Sequence, residues 1–193
     1  MARRFIGASG RGAALGIALA ATLLAGCAAL GSRVVPAGQA EFELSGRIAV
    51  RYDHEASSGN LAWRHAARAD EMLITSPLGQ GIARIVRSGD AVTLTTSDDR
   101  RYRASDAEAL TEKVLGFRVP LRGLADWVRG RPEPGNAAQT RYDADGRLVE
   151  LEQSGWRIEY LAYAADGKLP SRLKLTYPGL ELLLAINEWR AAP

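Results

Sequence analysis

The chain has 193 residues, 47% hydrophobic and 24% charged, with 25 Lys+Arg against 22 Asp+Glu and a formal net charge of +3. Three of those cations, Arg3, Arg4 and Arg11, lie with no acid in the first 26 residues, so the remainder balances at 22 against 22 and carries no basic footprint for nucleic acid. A single cysteine, Cys27, excludes an intrachain disulfide, and two histidines with no cysteine at ligand spacing offer no metal set.

Residues 1–26 read as a secretory signal, with the arginines first and then an apolar stretch from Ala13 to Ala25 that is too short to span a bilayer. Leu24-Ala25-Gly26-Cys27 resembles the bacterial lipobox. That resemblance implies cleavage before Cys27, with a diacylglyceryl thioether and an amide-linked acyl chain on the new N-terminus. At about 0.8 kcal/mol per buried CH₂, two or three such chains anchor stably where one binds only reversibly. Ala28 stands where many proteobacterial lipoproteins carry the aspartate of inner-membrane retention, so the same resemblance implies the outer membrane. Residues 27–40 lack periodicity and read as a lipidated tether, spanning on the order of 20 Å as flexible coil. Residues 41–193 form one domain's worth of chain.

The domain opens on a period-two pattern. Phe42, Leu44, Ile48, Val50 and Tyr52 share one parity, while Glu43, Ser45, Arg47 and Arg51 take the other, as in a strand with one wet face. Shorter strands are predicted at 60–64 around Trp63, at 72–75, at 82–87 and at 92–96. Between the second and third of these, "TSPLGQG" sets Pro77 at the first corner of a turn and Gly79 at its end, which puts Leu78 at the tip where polar side chains normally sit. A lone surface leucine needs no function, so both readings stand at this point.

Helical spacing then interrupts the strands. Ser105-Asp106-Ala107-Glu108 has the form of a capping box, followed by Ala107, Leu110 and Val114 until Gly116. Leu121, Leu124, Ala125 and Val128 define a second short amphipathic helix, closed by Gly130 and Pro132. Strands return at 148–153, 156–163, 171–177 and 180–186, with hairpin signals at "RSGD", "DADG", "AADG" and "YPG". The expected fold is mainly β (α+β): an antiparallel meander whose two inserted helices must lay their apolar stripes on one face of it.

Catalysis has no visible foothold. His54 and His65 read as surface or turn residues, Asp98-Asp99 and Asp143-Asp145 as turn aspartates bonded to their own backbone, and no glycine-rich loop joins a strand to a helix. No catalytic residue, metal or cofactor is expected beyond the acyl and diacylglyceryl groups on Cys27.

"GRIAV" (46–50), "SPLGQ" (76–80), "LGFRVPLRGLADWVRG" (115–130), "DADGRLVELEQSGWRIEYLAY" (143–163), "LPSRLKL" (169–175) and the closing 186–189 together resemble the LolB family of outer-membrane lipoprotein receptors. The resemblance implies an incomplete antiparallel β-barrel with a short helical lid over an apolar cavity. It implies, as partners, a LolA-like periplasmic carrier, acylated lipoprotein cargo and the inner leaflet of the outer membrane. Pro77, Leu78 and Gly79 match the protruding loop whose leucine serves delivery into the membrane. Candidate cavity residues are Leu44, Ile48, Trp63, Leu110, Leu124, Trp127, Trp156 and Ile158, with ordinary core packing as the competing reading for each tryptophan, Trp189 included. A monomer is expected, since no dimer seam is visible. A structural or adaptor lipoprotein with a packed core and no acyl-chain transfer is the alternative.

Overall fold

The computed structural model describes Val35 and residues 39–191; the signal segment, Cys27 and most of the tether lie outside these residues. In chain order the elements are β1 (Phe42–Tyr52), β2 (Glu55–Ala66), β3 (Ala69–Thr75), β4 (Gly81–Ser88), β5 (Ala91–Thr96), β6 (Arg101–Ala104), α1 (Ala107–Leu115), α2 (Leu121–Trp127), β7 (Ala138–Tyr142), β8 (Leu148–Gln153), β9 (Trp156–Tyr163), β10 (Pro170–Tyr177) and β11 (Leu180–Ala191). All eleven strands make one sheet in the order β6-β5-β4-β3-β2-β1-β11-β10-β9-β8-β7, every neighbour antiparallel. Two meanders are therefore joined at β1 and β11, and the sheet does not close, because β6 and β7 end it as free edges.

The alternation of apolar residues becomes a buried inner face. Phe42 and Leu44 on β1, Leu61 and Trp63 on β2, Ile85 on β4, Leu94 on β5, Leu151 on β8, Ile158 on β9, Leu173 on β10 and Leu184 on β11 belong to one core. Strands far apart in the sheet order share that core, so the sheet curls around it. Gly46 marks one bend: the β1–β11 register shifts between Ser45 and Gly46, and a Cβ added to Gly46 would lie 2.2 Å from the Ala185 carbonyl oxygen. Only glycine lets the two backbones approach so closely.

Helix α1 starts one residue later than the capping box suggests. The cap is Asp106, whose carboxylate accepts from the backbone N–H groups of Glu108 and Ala109 at 2.9 and 3.2 Å. Aspartate serves here as well as serine would, since it too can satisfy the orphan donors of the first turn. Gly116 ends the helix in the left-handed conformation, φ 87°, and donates to the Glu112 carbonyl. Helix α2 has no side-chain cap and is held from below instead. Trp127 Nε1 donates to Gln153 Oε1 at 2.7 Å, and Tyr160 Oη donates to the Trp127 carbonyl at 2.9 Å. Gln153 Nε2 donates in turn to the Glu133 and Asn136 carbonyls, which fastens the segment after α2 to β8. Burial pushes the Tyr160 phenol above its usual pKa, so it remains a donor across the physiological range.

The "DADG" turn behaves as the sequence predicts: Asp143 Oδ1 accepts from the N–H groups of Asp145 and Arg147, both at 2.9 Å. His65 does not. It is buried on β2, 6% exposed, with Nδ1 2.6 Å from Asp70 Oδ1 on β3. Asp70 has no exposure at all; it also accepts from Trp63 Nε1 at 2.9 Å and from Arg87 Nε on β4. The surface reading of His65 fails because its parity is that of Leu61 and Trp63, so it turns inward with them. Its partners make that burial tolerable.

Candidate functional site

Two features stand out on this scaffold: a turn that projects an apolar side chain into water, and an apolar interior beneath the helices. The turn joins β3 to β4. Gly79 N–H closes it on the Ser76 carbonyl at 2.9 Å, Ser76 N–H returns to the Gln80 carbonyl at 2.7 Å, and Gly79 relieves the backbone at φ 86°. Asn60 Nδ2 on β2 donates to the Ser76 carbonyl at 3.2 Å, which ties the base of the turn to the sheet. Pro77, Leu78 and Gly79 are all exposed, and Leu78 is 90% so. Every backbone constraint thus serves to hold a leucine where it buries nothing of its own.

The eight interior candidates come together. Leu44, Trp63, Leu110, Trp127, Trp156 and Ile158 are buried in the one core, and Ile48 and Leu124 pack against it half-buried. The Trp127 and Trp156 rings lie 6.0 Å apart on facing elements, α2 and β9. Trp189, also half-buried, donates from Nε1 to the Pro170 carbonyl at 2.9 Å and meets Phe42 edge-on. Packing is dense around Trp63, Trp127, Leu121, Leu151 and Ile158, each at most 1% exposed, whereas Ile48, Val50, Val114, Phe117 and Leu124 are half-buried.

The two helices are held unequally. α2 is pinned by Trp127, Gln153 and Tyr160, and Arg129 just beyond it bridges to Glu41 at 3.1 Å while lying over the Phe42 ring. α1 rests on β5 and β6 and is linked toward α2 by Val119 N–H donating to Thr111 Oγ1 and, on the surface, by Arg118 Nε donating to Glu112 Oε2, both at 2.9 Å. Sequence reasoning missed the Asp70 cluster and the Gln153 bracket, although the inward parity of His65, Asp70, Arg87 and Gln153 was there to be followed. Among the described residues no group of three or more His, Cys, Asp or Glu is placed to hold a metal ion.

The described residues thus build an open, barrel-like antiparallel sheet curled around an apolar interior and covered by two helices. The family of the outer membrane lipoprotein LolB matches residues 40–189, and the chain belongs to that family. The outer-membrane lipoprotein LolB of Thiobacillus denitrificans is 39% identical over 181 residues, covering 92% of this chain and 97% of that one. That of Pseudomonas paraeruginosa is 36% identical over 191 residues, covering 90% and 93%. A DUF1329 family protein from Desulfovibrio piger shares the fold at a TM-score of 0.51 and 6% identity, over 81% of this chain and 87% of that one. The chain is accordingly an outer-membrane lipoprotein and not an enzyme.

Proposed function

We propose that this chain accepts acylated lipoproteins from a LolA-like periplasmic carrier into an apolar cavity beneath its helices and inserts them into the inner leaflet of the outer membrane. Cys27, freed by removal of residues 1–26, carries the acyl and diacylglyceryl groups, and residues 27–40 tether the domain, which acts as a monomer. No nucleotide, metal or catalytic side chain takes part. The observation that carries the reading is Leu78, almost fully exposed on a turn whose hydrogen bonds keep it so. One leucine gains only about 1.5–3 kcal/mol on leaving water, enough to enter the headgroup boundary and too little to stay. Leu78→Glu is expected to leave uptake from the carrier intact and to abolish incorporation into liposomes. Normal incorporation by that variant would remove the role.

Acyl chains need more room than the dense part of this core leaves. Leu110 of α1 and the half-buried Ile48 and Leu124 are the side chains expected to give way, because Trp127 at the end of α2 is held by buried hydrogen bonds to Gln153 and Tyr160. Transfer then runs downhill without chemical energy, provided affinity for the acyl chains rises from carrier to receptor to bilayer. Measured cargo affinities for the two proteins are expected in that order, and a tighter carrier would contradict the scheme.

The densely packed part of the core favours a second reading, an adaptor lipoprotein with a solid core. A fluorescent hydrophobic probe separates the two. Binding of the probe and its displacement by an acylated peptide are expected of the receptor; a core that takes neither belongs to the adaptor.

A further inference from the structure

The outward face of the sheet beside the turn carries a second apolar patch. One shallow depression there is lined by Arg47 and Ala49 of β1, Leu161 of β9, Arg172 of β10, Leu183 of β11 and Pro77 of the turn itself. Leu161 is 50% exposed and Leu183 39%, and the two share one depression instead of being scattered singly. The register places the two arginines in one row, with Leu183 in the adjoining row opposite Ala49 and Lys174. Arg47 and Arg172 both pair with Ala185, one from each side, so the two guanidinium-bearing strands flank β11 about 10 Å apart. On the other side Arg47 pairs with Asn60, and Asn60 with Thr75, the last residue before the turn. The projecting turn therefore rises from the end of the row that holds both arginines.

The charge on this row is uncompensated, whereas the next row is neutralised. Lys174 lies 3.3 Å from Glu159 and 3.8 Å from Glu181, and Arg51 lies 3.7 Å from Glu181. Neither Arg47 nor Arg172 has a carboxylate within 4.0 Å among the described residues, and both are exposed. Two free guanidinium groups astride exposed leucines match a surface that is anionic outside and apolar just beneath, which is the order of layers in a phospholipid leaflet.

We propose that this face is a seat for anionic phospholipid: Arg47 and Arg172 take phosphate oxygens of the headgroups while Leu161 and Leu183 rest on the acyl boundary. The inference builds on the reading that the Leu78 turn meets the bilayer, and adds that the domain lies down along β1, β11, β10 and β9 instead of touching at one point. Arginine suits this role because its planar fork bonds phosphate in two places. A cation near an anionic leaflet contributes about 1 kcal/mol, or roughly five-fold, so the pair contributes about 25-fold to the ratio of seated to unseated domain.

The test uses the full lipid-anchored protein reconstituted into phosphatidylethanolamine vesicles with or without phosphatidylglycerol. A fluorophore on Ser58→Cys, an exposed position in the same depression, reports contact through quenching by lipids spin-labelled at the headgroup. Quenching is expected only with phosphatidylglycerol, to weaken with added salt, and to fall about 25-fold in seated-to-unseated ratio for Arg47→Gln/Arg172→Gln. Arg47→Lys/Arg172→Lys retains most of it, and because both side chains are exposed, thermal melting of each variant should match the parent. Equal quenching without phosphatidylglycerol, or in the double glutamine variant, overturns the proposal. So does a double variant that seats normally yet fails to take cargo from the carrier, since the face would then be a protein-docking surface. Leu78→Glu, scored for cargo incorporation in the same vesicles, tests the underlying reading separately: it can fail while the arginine dependence holds, and the reverse.

Discussion

Asp70→Ala is expected to cost about 3–5 kcal/mol of folding stability, the range for removing one partner of a buried ion pair. Asp70 has no exposure, and the Arg87 side chain that it pairs with is only 7% exposed. The aspartate also receives Trp63 Nε1 and faces His65, so its loss leaves the indole N–H without its acceptor and the buried guanidinium with only long contacts to the Gly89 and Ala66 carbonyls, at 3.4 and 3.5 Å. Urea unfolding should show a lower midpoint with an unchanged slope, the sign that stability and not compactness has moved. Asp70→Leu/Arg87→Met removes both charges together and should recover most of the loss. A single variant as stable as the parent would show that the cluster contributes nothing to folding.

Trp127→Ala should be comparably severe, about 3–5 kcal/mol, because it vacates the centre of the core and unpins α2. Trp127 has no exposure, packs 6.0 Å from the Trp156 ring and donates to Gln153. Gly123 one turn earlier has no side chain to obstruct it, and a Cβ there would strike the Trp127 ring at 2.9 Å. Trp127→Phe keeps most of the volume and loses the donor, so it should cost closer to 1 kcal/mol. Denaturant titration of the two variants checks the contrast. If alanine and phenylalanine behave alike, the ring is not filling the space that its burial implies.

The strands with one wet face were legible because half of each had to be apolar. β1 was readable to its bounds, and the predicted strands on either side of the helices fall inside the observed ones. β6 and β7 escaped, and both are edges of the sheet. All five residues of β7 are exposed, so no buried face imposes a period there; β6 alternates, with Tyr102 and Ala104 half-buried against the core, but four residues are too short a run to declare a strand. Leu78 was legible as an exposed tip from Pro77 and Gly79 alone, since turn chemistry is local. The Asp70 cluster was not, because Trp63, His65, Asp70 and Arg87 meet only once β2, β3 and β4 are in register. The arginine row lies further still from local reading: it needs the pairing of β1 with β11, whose residues are separated by most of the domain.

That same pairing decides when the molecule is finished. Each meander can zip from its own hairpins as it emerges, but Phe42 meets Ala191 and Tyr52 meets Leu180, so the seam between the halves waits for the last stretch of chain to arrive. Until then β1 offers a long row of unsatisfied amides to any passing strand, a hazard that grows with delay. Chains arrested before Leu180 should collect in aggregates, and a protective holdase should matter most in that interval between export and closure.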